Sequence, residues 1–203
     1  MSTPIRRRTF LEQAGTTAAL TLIPTAAFAH TGVGDAHGFV TGFAHPVGGL
    51  DHVLAMVTVG IFAWQLGGRA LWLVPATFVL AMAAGAVLGM ARLSLPFVEV
   101  GIAISVIVLG AVVAFARGTP IALAVALVGM FAIFHGHSHG TEVALDPAAS
   151  GYVAGFMLAT ALLHVAGIAL GCAISRIADN RAAYRFGGAL VALAGLAILT
   201  QTI

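Results

Sequence analysis

The chain has 203 residues, 60% hydrophobic and only 8% charged, with nine arginines, no lysine and a formal charge of +2. A mean hydropathy of +1.05 and repeated apolar runs of about 20 residues point away from a soluble domain and toward a small helical membrane bundle. Arg6, Arg7 and Arg8 account for the net charge, so the basic balance gives no reason to expect nucleic acid, and the single Cys172 excludes an intramolecular disulfide and a Cys-rich zinc or iron–sulfur site.

Residues 1–29 read as a cleavable signal peptide. Behind the basic start come an apolar stretch from Ala18 to Ile23 and Ala27-Phe28-Ala29, an A-x-A cleavage site. Arg7-Arg8-Thr9-Phe10-Leu11 resembles a twin-arginine signal, and an ordinary Sec signal fits as well. Cleavage after Ala29 leaves a polar, periplasmic tail over 30–42 that carries His30 and His37.

Six apolar segments follow, at roughly 43–66, 70–91, 95–116, 120–138, 150–175 and 183–202. Each suffices to cross a hydrocarbon core of roughly 30 Å at about 1.5 Å per residue. Ser94 with Pro96, Thr119-Pro120 and Asp146-Pro147 read as helix starts, and Pro46 can open the first helix. With the tail outside, Arg69, Arg117, Arg176, Arg181 and Arg185 fall on inner loops, while the outer side keeps Arg92 with Glu142 and Asp146. This positive-inside pattern supports six spans with both mature termini periplasmic. Gly85/Gly89, Gly151/Gly155 and Gly167/Gly171 have the spacing of close helix contacts. The fold class is therefore an all-α membrane protein, with one six-helix domain over 43–203.

Against this apolar background, His45-Pro46-Val47-Gly48-Gly49-Leu50-Asp51-His52 and Phe134-His135-Gly136-His137-Ser138-His139-Gly140-Thr141-Glu142 concentrate metal-ligand side chains. Burying an ionisable group in a bilayer costs from roughly 3 to more than 10 kcal/mol, so such clustering needs a reason. The topology, derived from arginines alone, brings the groups to one level. Asp51 and His52 lie about 8–9 Å below the outer end of the first helix, Glu99 about 5 Å below Pro96, and His135 about 22 Å along the outward fourth helix. His164 falls near mid-membrane in the fifth. His135 and His139 are four apart and share a face that Glu142 extends. His45 and His52 are seven apart, about 10 Å in an unbroken helix, so one ion reaches both only if Pro46, Gly48 and Gly49 allow a break. The bland alternatives are a helix-to-helix hydrogen bond for His164, an interfacial carboxylate for Glu99, exposure off the ligand face for His137, solvated tail residues for His30 and His37, and packing for Met56.

Imidazole with carboxylate suits divalent nickel, cobalt, zinc or copper better than magnesium or calcium. Affinity order alone does not name the metal. No nucleotide-binding loop is present, so this chain uses no ATP.

The run His45–His52, continued by Leu54-Ala55-Met56, resembles the HupE/UreJ family of membrane proteins, and Phe134–Glu142 matches that family's other signature. The Glu99 segment and Leu163-His164 are also similar, so the resemblance covers nearly the whole mature chain. It implies a secondary permease of the bacterial inner membrane for nickel, with cobalt as an alternative substrate, and no prosthetic group or enzymatic reaction. The motif residues map onto His45, Asp51, His52, His135, His139 and Glu142; Glu99 and His164 complete the set of expected metal contacts. The extra His137 departs from the family pattern. The competing classes are a membrane metal sensor or chaperone that binds without conducting, a haem-binding membrane cytochrome, and, more remotely, a zinc-dependent membrane hydrolase.

Overall fold

A computed structural model of the chain describes residues 38–115, 118–143, 149–177 and 180–203. The signal sequence, His30, His37, Arg117 and Asp146-Pro147 lie outside the described residues. Those described form seven α-helices and no strand: α1 (Gly38–Gly48), α2 (Leu50–Leu66), α3 (Ala70–Met90), α4 (Val98–Phe115), α5 (Ile121–Glu142), α6 (Ala149–Ser175) and α7 (Asn180–Thr202). Helices α3 to α7 are each long and apolar enough to cross a membrane, while α1 and α2 reach that length only together, across an 81° bend. Five of the six expected segments are therefore single unbroken helices. The first of the six expected segments is a bent pair instead of the single rod expected over 43–66.

The bend has a local cause. Pro46 sits inside α1 and donates no backbone hydrogen bond. Gly49 then takes an extended conformation (φ −94°, ψ 120°), and its carbonyl accepts from Val53 N at 3.0 Å to open α2 in a new direction. A second difference lies between α3 and α4. Pro96 stays in the connection, and α4 starts two residues later, because Arg92 and Phe97 adopt positive φ (57° and 58°) to reverse the chain. Arg92 Nη1 donates to Thr141 O at 3.0 Å and His137 Nε2 donates to Leu93 O at 2.7 Å, fastening this link to the end of α5.

The helices pack in three units. α3 runs along α5, α4 along α7, and α6 along both α1 and α2; α2 also touches α3 and α4 and so joins the units. Glycine sets the closest seam. A Cβ on Gly136 or Gly140 would meet the backbone of Met82 or Ala86, and one on Gly85 or Gly89 would meet that of Ile133 or His137. The two backbones touch from both sides, as small residues permit in lipid, where dispersion and close approach replace the hydrophobic effect. Gly155 and Gly167 likewise admit Phe39 and Val57 to α6.

Burial is distributed as a membrane requires. Met56, Phe62, Phe78, Met82 and Leu109 fill the interior, so Met56 is packing. Trp72, Leu80, Phe186, Leu190 and Leu193 face outward. Among the polar residues, Asp51, His52, Ser105, His135, His139, Thr160 and His164 are buried, the placement that spares them contact with hydrocarbon.

Candidate metal centre

The centre grows from the bend. Asp51 lies in the first turn of α2, where a negative charge is favoured by the helix dipole. Its Oδ1 accepts from His52 N and stands 2.8 Å from His52 Nδ1. A carboxylate oxygen only accepts, so Nδ1 carries the proton and the lone pair of His52 is on Nε2. Carboxylate-held imidazoles of this kind are the usual way a protein fixes the ring and tautomer of a metal ligand. Gly49 leaves the space: a Cβ there would lie 2.8 Å from Asp51 Oδ1 and 3.0 Å from His52 Nδ1.

Helix α5 faces this pair with two histidines one turn apart. His139 Nε2 is 2.6 Å from His52 Nε2, a separation that demands a hydrogen bond, with His139 donating to the lone pair of His52. The His135 ring stands 4.8 Å from that of His52. On its other side His139 meets His45 of α1, ring centroids 4.5 Å apart, and His45 Nε2 lies 3.6 Å from Glu142 Oε2. One ligand atom each from His45, His139 and Glu142 falls within 4.8 Å of the others. A transition metal with bonds of about 2.1 Å holds its donors roughly 3–4 Å apart, so the trio needs to contract by only about 1 Å. With neutral imidazoles it presents one negative charge to a dication. Helix continuity through Glu142 puts all three α5 donors on one rigid element. The bend in turn lets His45 and His52 reach His139 from two sides, each ring at 4.5 Å.

Residues 18–198 match the sequence profile of the family described as HupE / UreJ protein. The chain belongs to the HupE/UreJ family. Protein HupE of Rhizobium leguminosarum bv. viciae is 49% identical over 184 residues, which cover 91% of this chain and 95% of that protein. No solved structure matches the chain.

In this HupE/UreJ member, six of the eight sequence-predicted residues, His45, Asp51, His52, His135, His139 and Glu142, form one continuous constellation. His164 lies apart on α6, fully buried, with neither ring nitrogen hydrogen-bonded among the described residues. Its ring contacts Phe78 at 5.1 Å, and Phe78 contacts His135 at 5.7 Å. Glu99 is outside the constellation: it is exposed at the start of α4 and accepts from Ser138 Oγ at 3.2 Å. His137, expected to be exposed, is buried as the clamp on Leu93, because α5 continues past 138 and turns that ring toward the α3–α4 link. Sequence reasoning passed over Ser105, Tyr152 and Phe78. Ser105 was detectable as the lone hydroxyl in the apolar helix α4. Tyr152, buried with its ring 6.0 Å from that of His45, and Phe78 carried no signal separating them from ordinary core aromatics.

Proposed function

We propose that this HupE/UreJ member is a secondary permease that takes up divalent nickel, with cobalt as an alternative substrate, across the bacterial inner membrane. One observation supports the reading: His139 touches both His45 and His52, so among the described residues the donors follow one another in a line from α1 to α2 and do not close into a single cage. Conduction needs such partial shells, strong enough to admit the ion and weak enough to release it.

The ion enters at Glu142 and His45, exchanges water for imidazole and carboxylate, and gains His139. It then breaks the hydrogen bond between His139 and His52, His139 keeping its Nε2–H, and passes to the lone pair of His52 that Asp51 holds in place. His135 and then His164 are the next inward contacts. Each transfer exchanges one or two donors, so no step strips the ion completely. The membrane potential contributes about 2.3 kcal/mol per charge per 100 mV, doubled for a dication, enough to drive entry without a nucleotide. Arg69, Arg176, Arg181 and Arg185 face the cytoplasm in this orientation, the leader is removed after Ala29, and His30 and His37 gather ions outside. The chain performs no chemistry on its cargo.

Uptake of radioactive nickel by cells expressing Asp51→Ala or His52→Ala, at matched protein level, tests this reading; the expected result is loss of uptake, and wild-type uptake would overturn it. Reconstituted vesicles loaded with a metal-sensitive dye separate passage from the binding that a sensor or chaperone would show.

A further inference from the structure

Ser105 lies near the middle of α4, fully buried, the lone hydroxyl of a helix whose one other polar side chain is Glu99 in its first turn. Its hydroxyl donates to Ile102 O at 2.6 Å, which satisfies its own helix and uses its one hydrogen. The same oxygen stands 2.8 Å from His135 Nε2. With that hydrogen committed, the oxygen offers only a lone pair, so His135 Nε2–H is the donor of this second bond. A neutral imidazole carries one N–H, and His135 Nδ1 is therefore a bare lone pair. That atom is buried and has no hydrogen-bond partner among the described residues. The neighbouring rings are His52 at 4.8 Å and Phe78 at 5.7 Å. Buried acceptors are nearly always satisfied, and one left bare in a fixed orientation points to a missing ligand.

We infer that Ser105 is a positioning residue that locks His135 in the tautomer whose Nδ1 receives the metal ion. The inference rests on the permease reading above and adds a donor atom and its control. His52, held by Asp51, binds through Nε2; His135, held by Ser105, binds through Nδ1. The two tautomers are opposite, each set by a neighbour that leaves a single nitrogen available. The Ile102 carbonyl, the Ser105 hydroxyl and the His135 ring thus form a relay of fixed polarity from α4 to α5.

The test uses purified full-length protein labelled with 15N-histidine, without and with Ni²⁺. Without metal, the expected spectrum shows Nδ1 of His135 as the unprotonated, pyridine-type nitrogen and Nε2 as the protonated, pyrrole-type one. The reverse assignment overturns the inference. Ser105→Ala is expected to mix the tautomers and weaken Ni²⁺ binding about 10-fold or more, the usual effect of removing a group that orients a ligand. Ser105→Thr, which keeps the hydroxyl, is expected to restore both readouts. An unchanged His135 spectrum and an unchanged Kd in a folded Ser105→Ala protein overturn the role of Ser105. Asp51→Ala separates the two levels: if it loses Ni²⁺ binding while Ser105→Ala does not, the Ser105 inference alone fails, whereas wild-type binding by Asp51→Ala removes the permease reading beneath it. Should Ser105→Ala fail to fold, the wild-type spectrum decides.

Discussion

Replacing Gly49 by alanine separates binding from folding in this protein. Its φ of −94° and ψ of 120° are open to any L-residue, so the added methyl group meets no backbone strain. In the unfolded chain alanine has fewer conformations than glycine, a gain of about 0.4–1 kcal/mol for the folded state. The cost falls on the site. The new Cβ would stand 2.8 Å from Asp51 Oδ1 and 3.0 Å from His52 Nδ1. Ordinary contact requires about 3.4 Å or more, so both groups must give way by roughly half an ångström. The Asp51–His52 bond, now 2.8 Å, would lengthen toward the limit of hydrogen bonding. A bond to a charged group is worth about 1.5–3 kcal/mol, and losing about half of it weakens Ni²⁺ binding roughly 3- to 12-fold. Calorimetric titration with Ni²⁺, paired with thermal unfolding in the same detergent, measures both sides. The expected pair is a weaker Kd and a Tm that changes little, because the lost part of the bond and the entropic gain oppose each other at about 1 kcal/mol each. An unchanged Kd would show that the carboxylate and ring are not held as described, and a collapsed Tm would refute the claim that Gly49 is spared for the site alone.

The α3–α5 seam makes a different demand. Gly140→Val places a branched side chain against the Ala86 backbone and is expected to cost well over the ~1–3 kcal/mol of ordinary overpacking, read as loss of the monodisperse peak in size-exclusion chromatography. His137→Ala removes the clamp on Leu93; Tm is expected to fall, with a loss of about 1–3 kcal/mol for the stranded carbonyl, while Kd for Ni²⁺ stays within about twofold. Glu142→Gln keeps the shape and removes the acid beside His45, and is expected to lower uptake most at low external Ni²⁺, where capture limits the rate. Metal binds only unprotonated imidazole, so acid is expected to weaken uptake and never to strengthen it. Uptake measured between pH 5 and 8 at fixed membrane potential checks the sign.

The sequence made long elements legible because a bilayer imposes their length. The starts of α3 and α6 lie within a residue of the apolar boundaries, and the paired glycines at 85/89 and 167/171 lie in the helix contacts their spacing suggested. The histidine motifs were legible for the complementary reason, since imidazoles and acids are conspicuous in apolar runs. What stayed hidden depended on partners distant in the chain. The bend was readable from Pro46, Gly48 and Gly49 only as a condition for His45 and His52 to meet, and its angle comes from packing α1 and α2 separately on α6. The burial of His137 follows from the positive φ values at Arg92 and Phe97 that fold the α3–α4 link back over α5. Ser105 is 30 residues from His135, and neither residue announces the other.

The three-unit packing has a mechanical consequence. His45, Asp51, His52 and His164 ride on α1, α2 and α6, whereas His135, His139 and Glu142 ride on α5 with α3. On the permease reading, an ion handed from His139 to His52 would therefore cross a boundary between bodies that are each tied internally by glycine contacts. The hand-over would thus fall where the backbone contacts are loosest, between units and not within one.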